Sequence, residues 1–150
     1  MKRLACLVVL VLVGGTVPAA WAGAAEEVQE AIEQTRRAWA APTVEPLAAL
    51  FAEDGVLTPA VSPFRIEGRK DIAAALAGFF KAFPTRRLVI RQPRTSIYNG
   101  NVAVVEAYWQ YTAISTKGTV KTWRGRANVT RVKIGGQWLI VSQHSSLLPQ

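Results

Sequence analysis

The sequence predicts an α+β domain: three N-terminal helices packed on a curved, mostly antiparallel sheet that rolls into a cone. Two observations carry this prediction. Apolar residues recur at helical spacing in the first half of the chain, then give way to long extended segments from Arg86 onward. Turn signals at Asn99-Gly100, Lys117-Gly118 and Gly135-Gly136 divide the second half into four strands. A length of 150 residues, half of them hydrophobic, fits one domain with its own core.

The chain opens with a basic start, Met1-Lys2-Arg3, followed by an uninterrupted apolar run from Leu4 to Val13. Gly14-Gly15 and Pro18 break the run, and Ala20-Trp21-Ala22 offers small residues two apart. This pattern predicts a secretory signal over residues 1–22, with a second cleavage option after Ala24, and a domain over residues 23–150. The apolar run is short of the about 20 residues a membrane span needs, so no stable anchor is expected after cleavage. The expected location is periplasmic or secreted.

Glu26 to Ala41 reads as an amphipathic helix, with Val28, Ala31, Ile32, Thr35 and Trp39 on one stripe. Pro46 to Ala52 reads as a second, short helix capped by Thr43 and closed by Asp54-Gly55. Pro59 and Pro63 restrict Val56 to Ile66 to short edge strands. Gly68 opens a third helix with a stripe of Ile72, Ala75, Leu76, Phe79, Phe80 and Phe83, and Pro84 stops it. The four long strands then run Arg87 to Tyr98, Val102 to Ile114, Thr119 to Ile134 and Gln137 to Leu147.

Composition removes several classes of function. The single cysteine, Cys6, falls in the expected leader, and the single histidine is His144. Without thiols or a histidine cluster there is no disulfide framework and no ordinary zinc site. No glycine-rich phosphate loop joins a strand to a helix, so no cofactor is expected. The formal charge is +8, and after Asp71 eleven bases face one acid, Glu106. The bases are scattered and no nucleic-acid-binding motif is present, so nucleic acid is not an expected partner.

The order of elements and several local runs resemble the SnoaL-like branch of the nuclear transport factor 2-like superfamily. The runs are Phe51-Ala52-Glu53-Asp54-Gly55-Val56-Leu57, Glu67-Gly68-Arg69-Lys70-Asp71-Ile72, Asn128-Val129-Thr130-Arg131-Val132, Gly136-Gln137-Trp138, Ile140-Val141, His144-Ser145 and Pro149. The C-terminal runs are similar to the end of the calcium/calmodulin-dependent kinase II association domain. Ser142 stands where those relatives often carry a first histidine, and Gln110 where they carry a pocket arginine. The resemblance implies a scaffold with a cone-shaped cavity and dimers formed through the convex sheet face. It does not select among isomerases, cyclases, dehydratases, binders and oligomerisation hubs.

Strand alternation sorts the candidate site residues. Glu106, Tyr108 and Gln110 share one face of the second long strand, while Trp109 and Tyr111 share the other. Arg124, Arg126 and Asn128 share one face of the third, with Trp123, Ala127 and Val129 opposite. The expected pocket takes the polar sets. Glu106 is then a general base, Tyr108 a donor to a developing oxyanion, and His144 an orienting group or base. Gln110, Arg124, Arg126 and Asn128 bind an anionic or carbonyl-bearing ligand. Trp109, Tyr111 and Trp123 are left for the dimer face. The alternatives are that Glu106 pairs with an arginine of a neighbouring strand, the arginines face solvent and His144 is structural. The functional expectation is accordingly a cofactor-independent acid–base enzyme or a non-catalytic binder of a small anion, with a pure oligomerisation module third.

Overall fold

The computed structural model describes residues 19–149, with side chains from Gly23. The chain runs α1 (Ala19–Ala40), α2 (Glu45–Ala48), β1 (Phe51–Thr58), β2 (Ile66–Glu67), α3 (Arg69–Ala82), β3 (Thr85–Tyr98), β4 (Val102–Ile114), β5 (Val120–Ile134) and β6 (Gln137–Leu147). The leader expected over residues 1–22 lies outside the described residues, apart from the opening turn of α1. All six strands form one sheet in the order β2-β1-β6-β5-β4-β3. Every pairing is antiparallel except that of β1 with β6, which is parallel. The sheet is therefore mixed, and the last strand of the chain sits in its interior.

The long strands lie close to their expected bounds because the turn residues between them leave little choice. Asn99 and Gly100 adopt φ of 51° and 70°, and Gly135 and Gly136 adopt 56° and 82°, the doubly left-handed pattern of a tight hairpin. Bulges bend the sheet. Gln92-Pro93 inserts one extra residue in β3 opposite β4, and Val141 does the same in β6 opposite β5. The helices fill the concave side. Val28, Ala31 and Ile32 of α1 pack with Ala103, Val105 and Trp138, while Leu47 of α2 packs with Ala38 and Phe80.

The segment after α1 departs from expectation. The second helix is a single turn, Glu45–Ala48, with Val44 rather than Thr43 at its N-cap and no side-chain cap. Phe51-Ala52 and Asp54-Gly55 belong to β1 instead of ending a helix. The reason is a large bulge. Phe51 pairs with Ile140 and Val56 with Ser142, so Ala52 to Gly55 loop out against two steps of β6. A Cβ at Gly55 would lie 2.8 Å from the Ile140 carbonyl oxygen, so glycine serves close backbone approach here.

Arg86, at the start of β3, ties the helices to the sheet. Its guanidinium donates to the carbonyls of Trp39 at 3.2 Å and Phe80 at 3.0 Å, and also to those of Ala41 and Phe83. These four acceptors are the exposed carbonyl ends of α1 and α3, where the helix dipoles are negative. The guanidinium also lies 3.9 Å from the centre of the Phe80 ring. Arg86→Ala strips all four carbonyls of their donor and is expected to cost about 3 kcal/mol in a urea denaturation experiment. Arg87→Ala, one residue on and exposed, is expected to leave the midpoint unchanged.

Candidate functional site

A cavity of about 220 Å³ lies between the concave sheet face and the helices. Its wall on β4 is Val105, Ala107, Trp109 and Tyr111, and on β5 it is Trp123, Ala127, Val129 and Arg131. Thr35 and Trp39 of α1 and Phe79 of α3 close the helical side, and Pro59 to Val61 lie beside the cavity after β1. The aromatic residues form one connected wall. Tyr111 stands 5.1 Å from Trp39, 5.8 Å from Phe79 and 6.1 Å from Trp123, centre to centre.

One charged side chain enters this apolar surface. Arg131 is only 2% exposed. It donates to the Trp138 carbonyl at 3.0 Å, the Thr35 hydroxyl at 2.6 Å and the Ala31 carbonyl at 3.3 Å. Thr35 in turn donates to the same Ala31 carbonyl at 3.0 Å. All partners of Arg131 are neutral, and the ion pairs among the described residues do not include it. Burial pushes its guanidinium down to about 10, so it remains charged at neutral pH. Burial pushes the Tyr111 phenol up, an effect partly offset by the positive charge of Arg86, and keeps the hydroxyl protonated. Among the described residues, three buried side-chain polar atoms have no hydrogen-bond partner: Trp109 Nε1, Tyr111 Oη and Arg131 Nε. All three belong to residues of the cavity wall.

The profile of the SnoaL-like domain matches residues 32–139 of this sequence. The chain belongs to the SnoaL-like domain family. A solved structure from Xanthomonas campestris, provisionally named a calcium/calmodulin-dependent protein kinase II association domain, shares 27% identity with this chain. It covers 84% of this chain and 89% of its own, with a TM-score of 0.76. A nuclear transport factor 2-like superfamily protein from Salmonella enterica shares 26% identity over 86% of this chain and 94% of its own, at a TM-score of 0.72. A protein from Novosphingobium aromaticivorans, provisionally named a scytalone dehydratase, superposes at a TM-score of 0.81. It has 19% identity over 89% of each chain, a likeness of fold alone. No protein of curated function matches the sequence.

Within this SnoaL-like fold the expected site residues fall on the other side of the sheet from the cavity. Glu106, Tyr108, Arg124, Arg126, Asn128 and His144 are exposed, and Gln110 is half-buried with its amide oxygen accepting from Arg124 Nε at 3.2 Å. The ladders place Glu106 opposite Asn128, and Asn128 opposite His144, so these residues do share one face. That face is the outer one, and the reading of the polar sets as pocket walls is corrected. The physical reason is that a cavity wall is first a core face, and alternation buries the apolar set. Trp109, Tyr111 and Trp123, expected at a dimer face, are cavity residues instead. Among the described residues no group of histidine, cysteine or carboxylate side chains is arranged to hold a metal ion.

Arg131 was legible by the same alternation. It shares parity with Trp123, Ala127 and Val129, lies between Lys121 and Lys133 on that face of β5, and is the one buried charge of the three. Thr35 lay on the buried stripe of α1 but carried no signal of its partner. Gly125 is the remaining wall feature. A Cβ there would lie 2.2 Å from the Ser146 carbonyl oxygen and 2.3 Å from Trp109 Cζ2. The indole thus lies directly over the bare backbone of the neighbouring strand. Gly125→Ala is expected to displace Trp109 and destabilise the domain by about 1–3 kcal/mol through overpacking. A lowered thermal midpoint together with an altered near-ultraviolet tryptophan signal would bear this out; an unchanged signal would not.

Proposed function

We propose that this SnoaL-like domain is a binding module for a small, largely apolar organic molecule seated in the cone-shaped cavity. The observation that carries this reading is the wall itself: aromatic and aliphatic side chains around a half-open pocket, with one buried cation and a few hydrogen-bonding groups. The acid–base alternative finds less support. General-base catalysis needs a proton acceptor within reach of the substrate. Among the described lining residues there is no carboxylate and no imidazole, and Glu106 and His144 face outward. Tyr111 and Arg131 both hold their protons at neutral pH. The dehydratase named for the Novosphingobium relative would require such an acceptor if it worked by general-base catalysis.

The test uses a neutral fluorescent probe, N-phenyl-1-naphthylamine. Bound in the cavity, it should brighten and shift to the blue. Ala127→Trp, which fills the space opposite Ala107, is expected to abolish that response, and the milder Ala107→Leu to weaken it severalfold. Glu106→Gln is expected to change nothing. Probe binding that survives both cavity-filling changes in folded protein would place the ligand elsewhere.

We also propose export by the leader over residues 1–22, on the strength of its basic start and short apolar run. Cleavage after Ala22 suits the fold better than cleavage after Ala24. Ala24 is 5% exposed and belongs to the cluster of Val28, Ala103 and Trp138, which the later cut would breach. The intact mass of protein recovered outside a bacterial cytoplasm should match a chain starting at Gly23. A full-length mass in the cytoplasm would contradict the proposal.

A further inference from the structure

Building on the cavity-binding reading, we infer that the ligand is an organic anion: a small hydrocarbon body bearing a carboxylate whose oxygens answer the unpaired donors of the wall.

The fully buried hydrogen-bonding capacity left over in the wall is chiefly donor capacity, while Gln143 and Ser145, half-buried on the lining, add groups that both donate and accept. Arg131 Nε and Trp109 Nε1 can only donate, and the Tyr111 hydroxyl, held protonated by burial, also has a hydrogen to give. No buried side-chain acceptor beyond that hydroxyl is left without a partner among the described residues. A ligand matching these buried atoms brings acceptors. The charge has one sign. Among the described lining residues Arg131 is the only formal charge, its contacts are two carbonyls and a hydroxyl, and no carboxylate balances it. Against an apolar wall, partly shielded from water, an unbalanced guanidinium attracts an anion and repels an ammonium more strongly than it would in bulk water.

Size and wall chemistry set the body. The cavity, about 220 Å³, is smaller than the roughly 300–1,000 Å³ typical of sites for drug-sized ligands. It suits a body of up to three fused or linked rings. The walls that meet this body are Trp39, Phe79, Trp109 and Trp123, which offer faces and edges and no further charge. The unpaired donor atoms sit within the wall rather than projecting from it, so seating a carboxylate turns the Trp109 and Tyr111 side chains inward. Tryptophan emission therefore reports the event.

The outer face offers a contrast. Arg87, Arg91, Arg94, Arg124 and Arg126 are exposed there, but water screens them and nothing encloses a ligand beside them. The anion preference belongs to the interior arginine.

The experiment compares three probes with one body and different heads: 3-cyclohexylpropanoate, its carboxamide and 3-cyclohexylpropylamine. Each is titrated into the folded domain at neutral pH by calorimetry and by tryptophan emission. The carboxylate is expected to bind at least about tenfold more tightly than the carboxamide, with an emission change, and the amine not to bind. Arg131→Gln should bring the carboxylate-to-carboxamide ratio close to one while carboxamide binding persists. Should that variant not fold, Tyr111→Phe carries the test, with a severalfold loss for the carboxylate alone. Equal binding of all three heads, abolished by Ala127→Trp, would overturn the anion assignment and leave the cavity-binding reading standing. A carboxylate preference that survives Arg131→Gln in folded protein would overturn it as well. Absence of binding by every probe, N-phenyl-1-naphthylamine included, would overturn both.

Discussion

Polar contacts at three levels fix where α1 sits on the concave face of the sheet, beside the cavity. Near the start of the helix, Glu27 accepts from Lys133 Nζ at 2.6 Å and from the Trp138 indole at 2.8 Å. In the middle, Arg131 reaches the Ala31 carbonyl and the Thr35 hydroxyl. At the end, Arg86 takes the carbonyls of Trp39 and Ala41. Hydrophobic attraction has no preferred direction and leaves the helix free to slide over the concave face. Hydrogen bonds have a set length and direction and fix its position there. Lys133, then the Trp138 indole, holds the Glu27 carboxylate below its ordinary value of 4.5. Its share of stability is thus present above that value and fades as pH falls through the lowered one.

What could be read in the sequence was the local chemistry of turns and of alternation. Asn99-Gly100 and Gly135-Gly136 announce hairpins because few other pairs accept two left-handed residues in a row. Alternation sorted Glu106 from Trp109 and Asn128 from Val129 correctly, but it names two faces without saying which one looks inward. That choice depends on burial, and burial favours the apolar set even where it encloses a void. The β1 segment was misread for a different reason. Glu53-Asp54-Gly55 has the composition of a helix end, and only the distant backbone of Ile140 makes it a bulge. Nothing near it in the sequence carries that information.

The two buried arginines show how one side chain can serve different ends. Arg86 is surrounded by the carbonyl ends of two helices, whose dipoles supply the negative potential an acid would otherwise provide. Arg131 meets the side of α1 rather than its end, and its Nε finds no acceptor. An arginine keeps its proton under burial that would neutralise a lysine, so both sites stay charged. The first is complete within the chain. The second leaves an unbalanced charge and an unpaired donor within the cavity wall.

The parallel pairing of β1 with β6 bears on how the molecule is made. β6 lies between β1 and β5, so the sheet is assembled around the last of its six strands to be synthesised. Until Gln137–Leu147 has emerged, β1 and β2 share no neighbour with the β3–β5 meander. The nascent chain meanwhile presents the open edge of β5, a template for wrong pairing. The joining contact of Phe51 with Ile140 closes a loop across more than half the chain, the kind of contact that slows folding. Gln143 and Ser145 of β6 line the cavity, so its wall is complete only once this strand has paired. A lesion in the eleven residues of β6 strikes the centre of the sheet rather than an edge.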